Sequence, residues 1–176
     1  MPRLNVRKTY KLYIGGEFPR TESGRFYAVN NKGGDLLANA CRGSRKDLRN
    51  AIQAARKAFP GWSGKTAYNR GQILYRIAEV CESRAAELAD ELRKQGVAAA
   101  EARKEINAVI DRWVYYAGWS DKFAQVVGSV NPVAGPYFNF TVPEPTGVVG
   151  IIAPQRPALL GLVSRLLPVI VGGNTV

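Results

Sequence analysis

Cys41 and Cys81 are the only thiols in the sequence, and no histidine accompanies them. A thiol becomes a nucleophile when a neighbouring base or positive charge lowers its pKa, and histidine is the usual partner. Cys81 falls within the apolar stripe of a predicted helix, where a thiol packs as a small hydrophobic side chain. The sequence therefore predicts structural roles for both cysteines, and it predicts no metal site.

A second pattern that could carry chemistry is the apolar run from Val148 to Ile152, which lies between Gly147 and Pro154. A continuous apolar run of this length is typical of a strand buried on both faces of a parallel sheet. Ligands of such sheets bind in the crevice at the carboxyl ends of the strands. The segment does not contain the GxGxxG pattern that cradles a dinucleotide phosphate, so its residues alone do not identify a ligand.

The residues before position 42 predict strands and turns. The segment TYKLYIGGEF is a strand that ends in the turn glycines Gly15 and Gly16, with Phe18 beginning the return strand. Residues 19–35 are rich in turn formers, and the sequence LLANAC at 36–41 predicts a short strand.

Three amphipathic helices are predicted next. Ser44 and Asp47 form a capping-box pattern at the start of the first helix, which Pro60 and the following glycine should end. The second helix is predicted over about 68–95 and the third over about 98–123. Apolar residues recur at helical spacing in all three, and we expect these residues to face the core. They are, in the first helix, Leu48, Ala51, Ile52, Ala55, Ala58 and Phe59; in the second, Leu74, Ile77, Ala78, Cys81, Ala85, Leu88 and Leu92; and in the third, Ile106, Ile110, Trp113, Val114 and Ala117.

The last quarter of the sequence predicts a parallel sheet that has only begun. A turn-rich crossing segment at 129–136 leads into an alternating strand at 136–145. The buried strand at 148–152, an apolar helix at 157–171 and the start of another strand form one crossover unit of a nucleotide-binding-type sheet. One and a half crossovers cannot cover their own helices, so we interpret the chain as truncated.

Charge and hydropathy exclude several classes of protein. The net charge is +11, but the basic residues are scattered and do not alternate with aromatic residues, which favours solvated helix faces over a nucleic-acid-binding surface. The longest apolar segment carries Arg165 and Pro168, which argues against a membrane span. With no apolar signal segment after the basic start and only two cysteines, we expect a cytoplasmic protein.

Five short strings, in order, resemble the N-terminal portion of the aldehyde dehydrogenase family over about residues 10–176: YIGGEF, AARKAFPGWSG, RGQILYRIAE, EPTGVVGIIAP and GGNTV. The resemblance implies an α/β fold, with N-terminal helices and a hairpin arm followed by the start of an open parallel nucleotide-binding-type sheet. A basic tail over 1–9 would precede a partial cofactor domain with arm strands over 10–176. The segments DRWVYYAGWSDK and NPVAGPYFNF, with the PQ after IIA, are similar to a divergent bacterial branch in which such a module lacks catalytic residues.

The family resemblance also implies a cofactor and a reaction. Its members bind NAD or NADP, and they oxidise an aldehyde through a cysteine nucleophile and a glutamate base. By this resemblance, Ile152, Ala153, Pro154 and Gln155 would line the cofactor site.

Two departures from the family pattern set the functional expectation. The usual Pro-Trp-Asn sequence supplies an oxyanion-stabilising amide, but here Gln155 replaces the tryptophan and Arg156 occupies the asparagine position. Loss of one such donor typically costs about 10²–10³ in rate. The family's cysteine and glutamate match no position of this sequence, so we expect the chain alone to oxidise no aldehyde and to bind no cofactor tightly.

Three functions remain open on the sequence: part of an aldehyde dehydrogenase, a non-catalytic assembly module, or, least favoured, a basic nucleic-acid-binding protein. The uncharged alternating segment YFNFTV corresponds to the family's oligomerisation arm, so we expect a homo-oligomer or a component of a larger complex.

Overall fold

Three short strands form a small mixed sheet in the computed structural model, which describes residues 8–31 and 33–176. The strands are β1 (Thr9–Tyr10), β2 (Phe26–Asn30) and β3 (Leu36–Cys41). β3 lies in the centre, parallel to β1 and antiparallel to β2. The predicted strand at 36–41 is confirmed. The first seven residues of the predicted basic tail lie outside the described part of the chain.

The tight turn at Gly15 and Gly16 is confirmed, although the strands beside it are shorter than predicted. Both glycines have positive φ, at 62° and 86°, and Ile14 and Glu17 exchange backbone hydrogen bonds across them. Positive φ at both central residues gives a tight two-residue turn that glycine adopts without a steric cost.

The turn-rich assignment of 19–35 was wrong in its centre, because Phe26–Asn30 forms β2 and pairs with β3. Turn residues do flank this strand, since Gly24 and Gly34 both have positive φ. The aromatic and β-branched residues between them are strand formers, and an adjacent strand completes their hydrogen bonds.

Six helices follow in the described chain, in place of the predicted three long helices and one apolar helix. They are α1 (Arg45–Ser63), α2 (Ala67–Ser83), α3 (Ala85–Lys94), α4 (Ala99–Trp119), α5 (Phe123–Val127) and α6 (Ala158–Val171).

α1 begins with the predicted capping box of Ser44 and Asp47, which is confirmed, but it does not end at Pro60. A proline ring interferes with the turn before it, so the helix can continue after it. Tertiary contact stabilises the last turn of α1, because the Trp62 indole nitrogen donates to the carbonyl oxygen of Ile170 at 2.9 Å.

The single helix predicted over 68–95 is divided at Arg84 into α2 and α3. The Ser83 hydroxyl donates to the Val80 carbonyl at 2.9 Å, which competes with regular helix hydrogen bonding. Arg84 also forms two hydrogen bonds with Glu87 in the first turn of α3. The third predicted helix likewise ends earlier than expected, at Trp119.

The main core lies between α2, α4 and α6. Its buried side chains are Leu74, Ala78, Val109, Trp113, Val163, Leu167 and Val171. A smaller cluster of Leu92, Ala102 and Ile106 joins α3 to α4. Most of the stripe predicted for α2 and α3 is confirmed, whereas Val114 was placed wrongly in the core and is exposed.

Half of the residues predicted to be buried on α1 are exposed. Leu48 is 62% exposed and Ile52 is 37% exposed, while Ala55 is buried. The expectation for Leu48, Ile52 and the exposed Ala58 was therefore wrong in this structure, because α1 contacts its neighbours only through a narrow strip.

Two three-residue strands, β4 (Ser129–Asn131) and β5 (Asn139–Thr141), form an antiparallel pair. β5 confirms the centre of the strand predicted at 136–145, while β4 lies in a segment that was predicted to be only a crossing loop. Phe138 and Phe140 stack beside each other with ring centroids 5.4 Å apart, and both are exposed.

The strand predicted at 148–152 is present only as an isolated parallel bridge between Val148 and Thr175. The parallel direction is confirmed, whereas the predicted length and the burial on both faces are wrong. Within the described residues, this segment has a hydrogen-bonding partner on one side only, and a longer strand needs a neighbour along its length. None of the described helices combines the length and the apolar character needed to cross a membrane.

Candidate cofactor-site loop

Two sequence motifs that are far apart in the chain meet beside α6. The N–H of Val149 donates to the Thr175 carbonyl at 2.8 Å, and the N–H of Thr175 donates to the Gly147 carbonyl at 3.0 Å. These bonds run between parallel segments, with α6 in the connection. The predicted strand–helix–strand order is therefore present, in a minimal form.

The Asn174 side chain joins the two segments. Its Oδ1 atom accepts from the N–H of Gly147 at 2.9 Å and from the Thr146 hydroxyl at 3.1 Å. Its Nδ2 atom donates to the Val169 carbonyl of α6 at 3.2 Å. Gly173, with φ of 90°, reverses the chain after α6 and so brings Asn174 into this position.

Side chains of α1 and α2 donate hydrogen bonds to the C-terminal end of α6. Trp62 donates to Ile170, as described above, and Nε of the buried Arg70 donates to the carbonyl of Val171 at 3.1 Å. The last carbonyls of a helix lack partners within the helix, and Arg70 supplies one for the Val171 carbonyl. The Ile170 carbonyl also accepts from the N–H of Gly173 at 3.1 Å, so Trp62 adds a further hydrogen bond there. In addition, the Thr175 hydroxyl donates to the Ala55 carbonyl of α1 at 3.0 Å.

Residues 152–156, called the ledge below, form an exposed loop between this bridge and α6. They include the four residues predicted to line the cofactor site. Ile152 is 93% exposed, and Ala153, Gln155 and Arg156 are also exposed. Pro154 is half-buried because its ring packs on Gly161, where a Cβ atom would overlap the proline ring. The four predicted cofactor-site residues and Arg156 are consecutive in the chain, and all of them except Pro154 are exposed.

Glu105 of α4 occupies the N-terminus of α6, directly after this loop. Its Oε1 atom accepts from the backbone N–H groups of Leu159 at 2.9 Å and of Leu160 at 3.1 Å. A carboxylate satisfies these unpaired donors and interacts favourably with the helix dipole. The Glu105 carboxylate therefore occupies the anion-binding position at the N-terminus of α6.

Trp62, Arg70 and Glu105 were missed as positioning residues by the sequence analysis. Arg70 could have been found, because it precedes Leu74 and Ala78 by four and eight residues and so extends the buried stripe of α2. Nothing in the local sequence distinguishes Glu105 from the other acidic residues of α4.

Cys81 does not have the surroundings of a nucleophile. Burial raises the pKa of the Cys81 thiol, and the opposing effect of Arg84 is smaller. Both cysteines are free thiols. Among residues 8–31 and 33–176, no group of three or more His, Cys, Asp or Glu side chains could hold a metal ion.

The loop, the bridge and the helices before them have the order found in a known family, and residues 18–176 match the aldehyde dehydrogenase family. The chain belongs to this family. It is 36% identical to human retinal dehydrogenase 2 over 181 residues, which cover 99% of this chain and 34% of that protein. It is 34% identical to the putative aldehyde dehydrogenase DhaS of Bacillus subtilis, covering 97% of this chain and 35% of the relative.

Solved aldehyde dehydrogenase structures contain the same fold. The enzyme from Bacillus cereus, determined in complex with NAD⁺, superposes with a TM-score of 0.88 at 30% identity, over 94% of this chain and 34% of that one. The NAD-dependent enzyme from Sinorhizobium meliloti gives a TM-score of 0.89 at 28% identity, over 99% of this chain and 35% of that one. The chain thus spans about a third of the length of the relatives it matches.

Proposed function

We propose that this chain supplies one wall of the NAD(P) site in an aldehyde-oxidising unit. The observation that carries the proposal is the parallel bridge between Val148 and Thr175, which presents an exposed loop at its carboxyl end, where cofactors of parallel sheets bind. Family membership and the NAD⁺ complex of the Bacillus cereus relative support the cofactor.

The fit of the cofactor to this chain is partial. Ile152, Ala153, Pro154 and Gln155 offer a short apolar and amide surface suited to contact one side of a bound dinucleotide. Glu105 fills the N-terminus of α6, so this helix is not the phosphate-binding element. When bound, NAD(P) would accept the hydride from the aldehyde, and the chain's own contribution is to position the loop.

The chain alone is expected to oxidise no aldehyde. Cys81 is partly buried in the core with a raised pKa and Cys41 lies in β3, so neither thiol lies on the ledge of 152–156. In this proposal the nucleophile and the general base come from polypeptide outside the matched third.

An assay of NADH formation with several aldehydes tests this expectation. We expect no turnover from the purified chain, and weak or no binding of NAD⁺ or NADP⁺ by titration calorimetry. Turnover that persists after removal of host dehydrogenases would show that the chain contains a complete site.

Arg156 provides a test of whether the ledge belongs to an active site. In the assembled unit, Arg156→Asn would restore the family's neutral amide donor, and one such donor contributes about 10²–10³ in rate. We expect an increase in kcat of at least tenfold with little change in KM. Arg165→Asn, an exposed substitution on α6, is the matched control and should leave kcat unchanged.

A non-catalytic assembly module is the alternative, and the exposed Gln155 and Arg156 favour it, since both depart from the family's Pro-Trp-Asn pattern. In that case the Arg156→Asn unit would remain inactive while its assembly stayed intact.

We further place the protein in a reducing cytoplasm, which the two free thiols support. A nucleic-acid-binding role is the least supported, because the basic residues are scattered along the sequence and do not alternate with aromatic residues. Retention on DNA that falls with increasing salt would argue for that role.

A further inference from the structure

An open groove lies between the segment 12–14 and the first half of α1. Its volume is about 530 Å³. The lining is mainly apolar and includes Leu12, Tyr13, Ile14, Leu48 and Ala51, with Arg45 among its polar members. Of the described residues, none from 147–175 lines this groove, so it is separate from the candidate cofactor site.

The apolar side chains of the groove are accessible to a partner. Tyr13 is 69% exposed and Leu48 is 62% exposed. The Tyr13 ring lies beside Phe18, with ring centroids 5.1 Å apart. Backbone hydrogen bonds between Ile14 and Glu17 close the turn that joins these two rings. One wall is therefore held by the hairpin, and the groove is a concave surface suited to apolar side chains.

Basic residues border the groove. Residues 42–49 contain four basic residues and one acidic residue. Arg45 lines the groove, and Arg49 lies one helical turn after it on the same face of α1. Arg42 directly precedes the lining residue Gly43. All three arginines are exposed, and within the described part of the chain no acidic side chain forms a salt bridge with them.

The acidic residue of this region does not pair with the arginines. Asp47 is buried. Its carboxylate accepts from the Thr21 hydroxyl and from the N–H groups of Ser44 and Glu22. Glu22 in turn pairs with Lys46 at 2.9 Å. The border of the groove therefore keeps an excess of positive charge, which carboxylates of a ligand would complement.

An apolar concavity bordered by guanidinium groups fits an acidic amphipathic polypeptide segment. The apolar side chains of such a segment would enter the groove, while its carboxylates would form paired hydrogen bonds with the arginines. A nucleic acid would leave the apolar lining unused, and a membrane surface would not enter a concave site. The net charge of +11 disfavours a second copy of this chain as the occupant.

We propose that this groove docks an acidic amphipathic segment of a partner protein. Arg42, Arg45 and Arg49 would contact its carboxylates, and Tyr13 and Leu48 its apolar side chains. Complementary charge of this kind accelerates encounter and selects among partners. The inference does not depend on the proposed cofactor site, and its test measures binding without turnover, so each can fail separately.

Fluorescence anisotropy with the full chain tests the proposal. The probe is a labelled helical peptide that carries glutamate along one face and leucine along the other. The matched probe has glutamine in place of every glutamate, which keeps the shape and removes the charge. We expect only the glutamate peptide to bind, with an affinity that falls as the salt concentration rises.

Two kinds of substitution separate charge from apolar contact. Arg45→Glu combined with Arg49→Glu should weaken binding about tenfold or more, because two attractions become repulsions. Leu48→Gln should weaken it about threefold, because an apolar contact is lost while the charge is kept. Arg103→Glu combined with Arg112→Glu on α4 is the matched control, since it makes the same charge change at exposed positions outside the groove. Circular dichroism would verify that each variant folds.

No binding, equal binding of the two peptides, or equal loss in the two double variants would overturn the inference. Unchanged binding by Leu48→Gln would also overturn it, because the surface would then attract anions without using the groove. Tighter binding of labelled single-stranded DNA, or of vesicles that contain phosphatidylserine, at the same salt concentration would assign the surface to a nucleic acid or a membrane instead.

Discussion

At the scale of single residues, the buried guanidinium of Arg70 joins three parts of the chain. Besides Val171, it donates from Nη1 to the carbonyls of Lys65 at 2.5 Å and of Ser63 at 3.4 Å. Burial lowers the pKa of Arg70 from its ordinary value. The side chain therefore links the connection between α1 and α2 to the C-terminus of α6, and so supports the bridge next to the candidate site.

Arg70→Met should lower the free energy of unfolding by about 1–3 kcal/mol, because it removes a donor from the Val171 carbonyl in a buried hydrogen bond and from the Lys65 and Ser63 carbonyls in partly buried ones. Arg76→Met on the same helix is the control, since the Arg76–Glu79 ion pair is exposed and such pairs contribute about 0–1 kcal/mol. Urea denaturation of both variants measures the difference. Equal effects would show that Arg70 contributes no more than a surface ion pair.

Asp47 is the second residue whose hydrogen bonds are expected to affect the stability of the fold. It accepts from the Thr21 hydroxyl at 2.5 Å, from the N–H of Ser44 at 2.8 Å and from the N–H of Glu22 at 3.2 Å. The Thr21 bond is the largest cause, followed by that of Ser44, of a lowering of the Asp47 pKa from 3.8 to about 2. These bonds attach the loop before β2 to the start of α1.

Because the folded-state pKa is the lower one, the stability from Asp47 is fully present above about pH 4 and is lost as the pH falls towards 2. Asp47→Asn should therefore destabilise the chain by a constant amount at neutral pH, and by less between pH 4 and 2. Melting temperatures measured from pH 7 to 2 test this, with Asp111→Asn on the exposed side of α4 as the control. A difference that does not change with pH would contradict the assignment.

At the scale of elements, α6 determines the position of the ledge. Pro154 packs against Gly161 on one side, and Glu105 holds the first N–H groups of the helix on the other. The loop is thus fixed at Pro154, in its middle, and where it runs into α6, even though the side chains of 152 and 153 are exposed.

Gly161→Ala tests this packing. Alanine normally stabilises a helix interior by roughly 0.5–1 kcal/mol relative to glycine, but here its methyl group would displace Pro154. We expect net destabilisation and faster amide hydrogen exchange in the peptide 149–156. Gly118→Ala in α4 meets open space and should be neutral or stabilising. If both variants were stabilised alike, the contact between Pro154 and Gly161 would not constrain the loop.

At the scale of the whole molecule, the β4–β5 pair presents exposed aromatic residues. Phe138 is 75% exposed and Phe140 is 57% exposed, and Val130 on the facing strand is 70% exposed. Short uncharged strands of this kind pair readily with other chains. The expectation of a homo-oligomer or larger complex remains a prediction.

Light scattering at low micromolar concentration tests that prediction. We expect self-association that the double substitution Phe138→Ser and Phe140→Ser reduces, whereas Tyr68→Ser, at an exposed position of α2, has no effect. A monodisperse monomer that unfolds cooperatively would show that the chain closes its own core and needs no partner.

The sequence by itself determined the features that depend on local rules. The Ser44 capping box, the Gly15–Gly16 turn and the apolar helix before GGNTV follow from hydrogen bonds and steric limits between near neighbours in the chain. The motifs also sufficed to identify the family, because their order and spacing are properties of the chain alone.

The tertiary structure decided what depends on distant partners. α1 continues past Pro60 because Trp62 reaches Ile170, and β2 forms because β3 completes its hydrogen bonds. The run at 148–152 is apolar enough for a central strand, yet it pairs at a single position. A strand exists only with neighbours, and an apolar helix face is buried only against a second surface, so these outcomes depend on which partners the fold supplies.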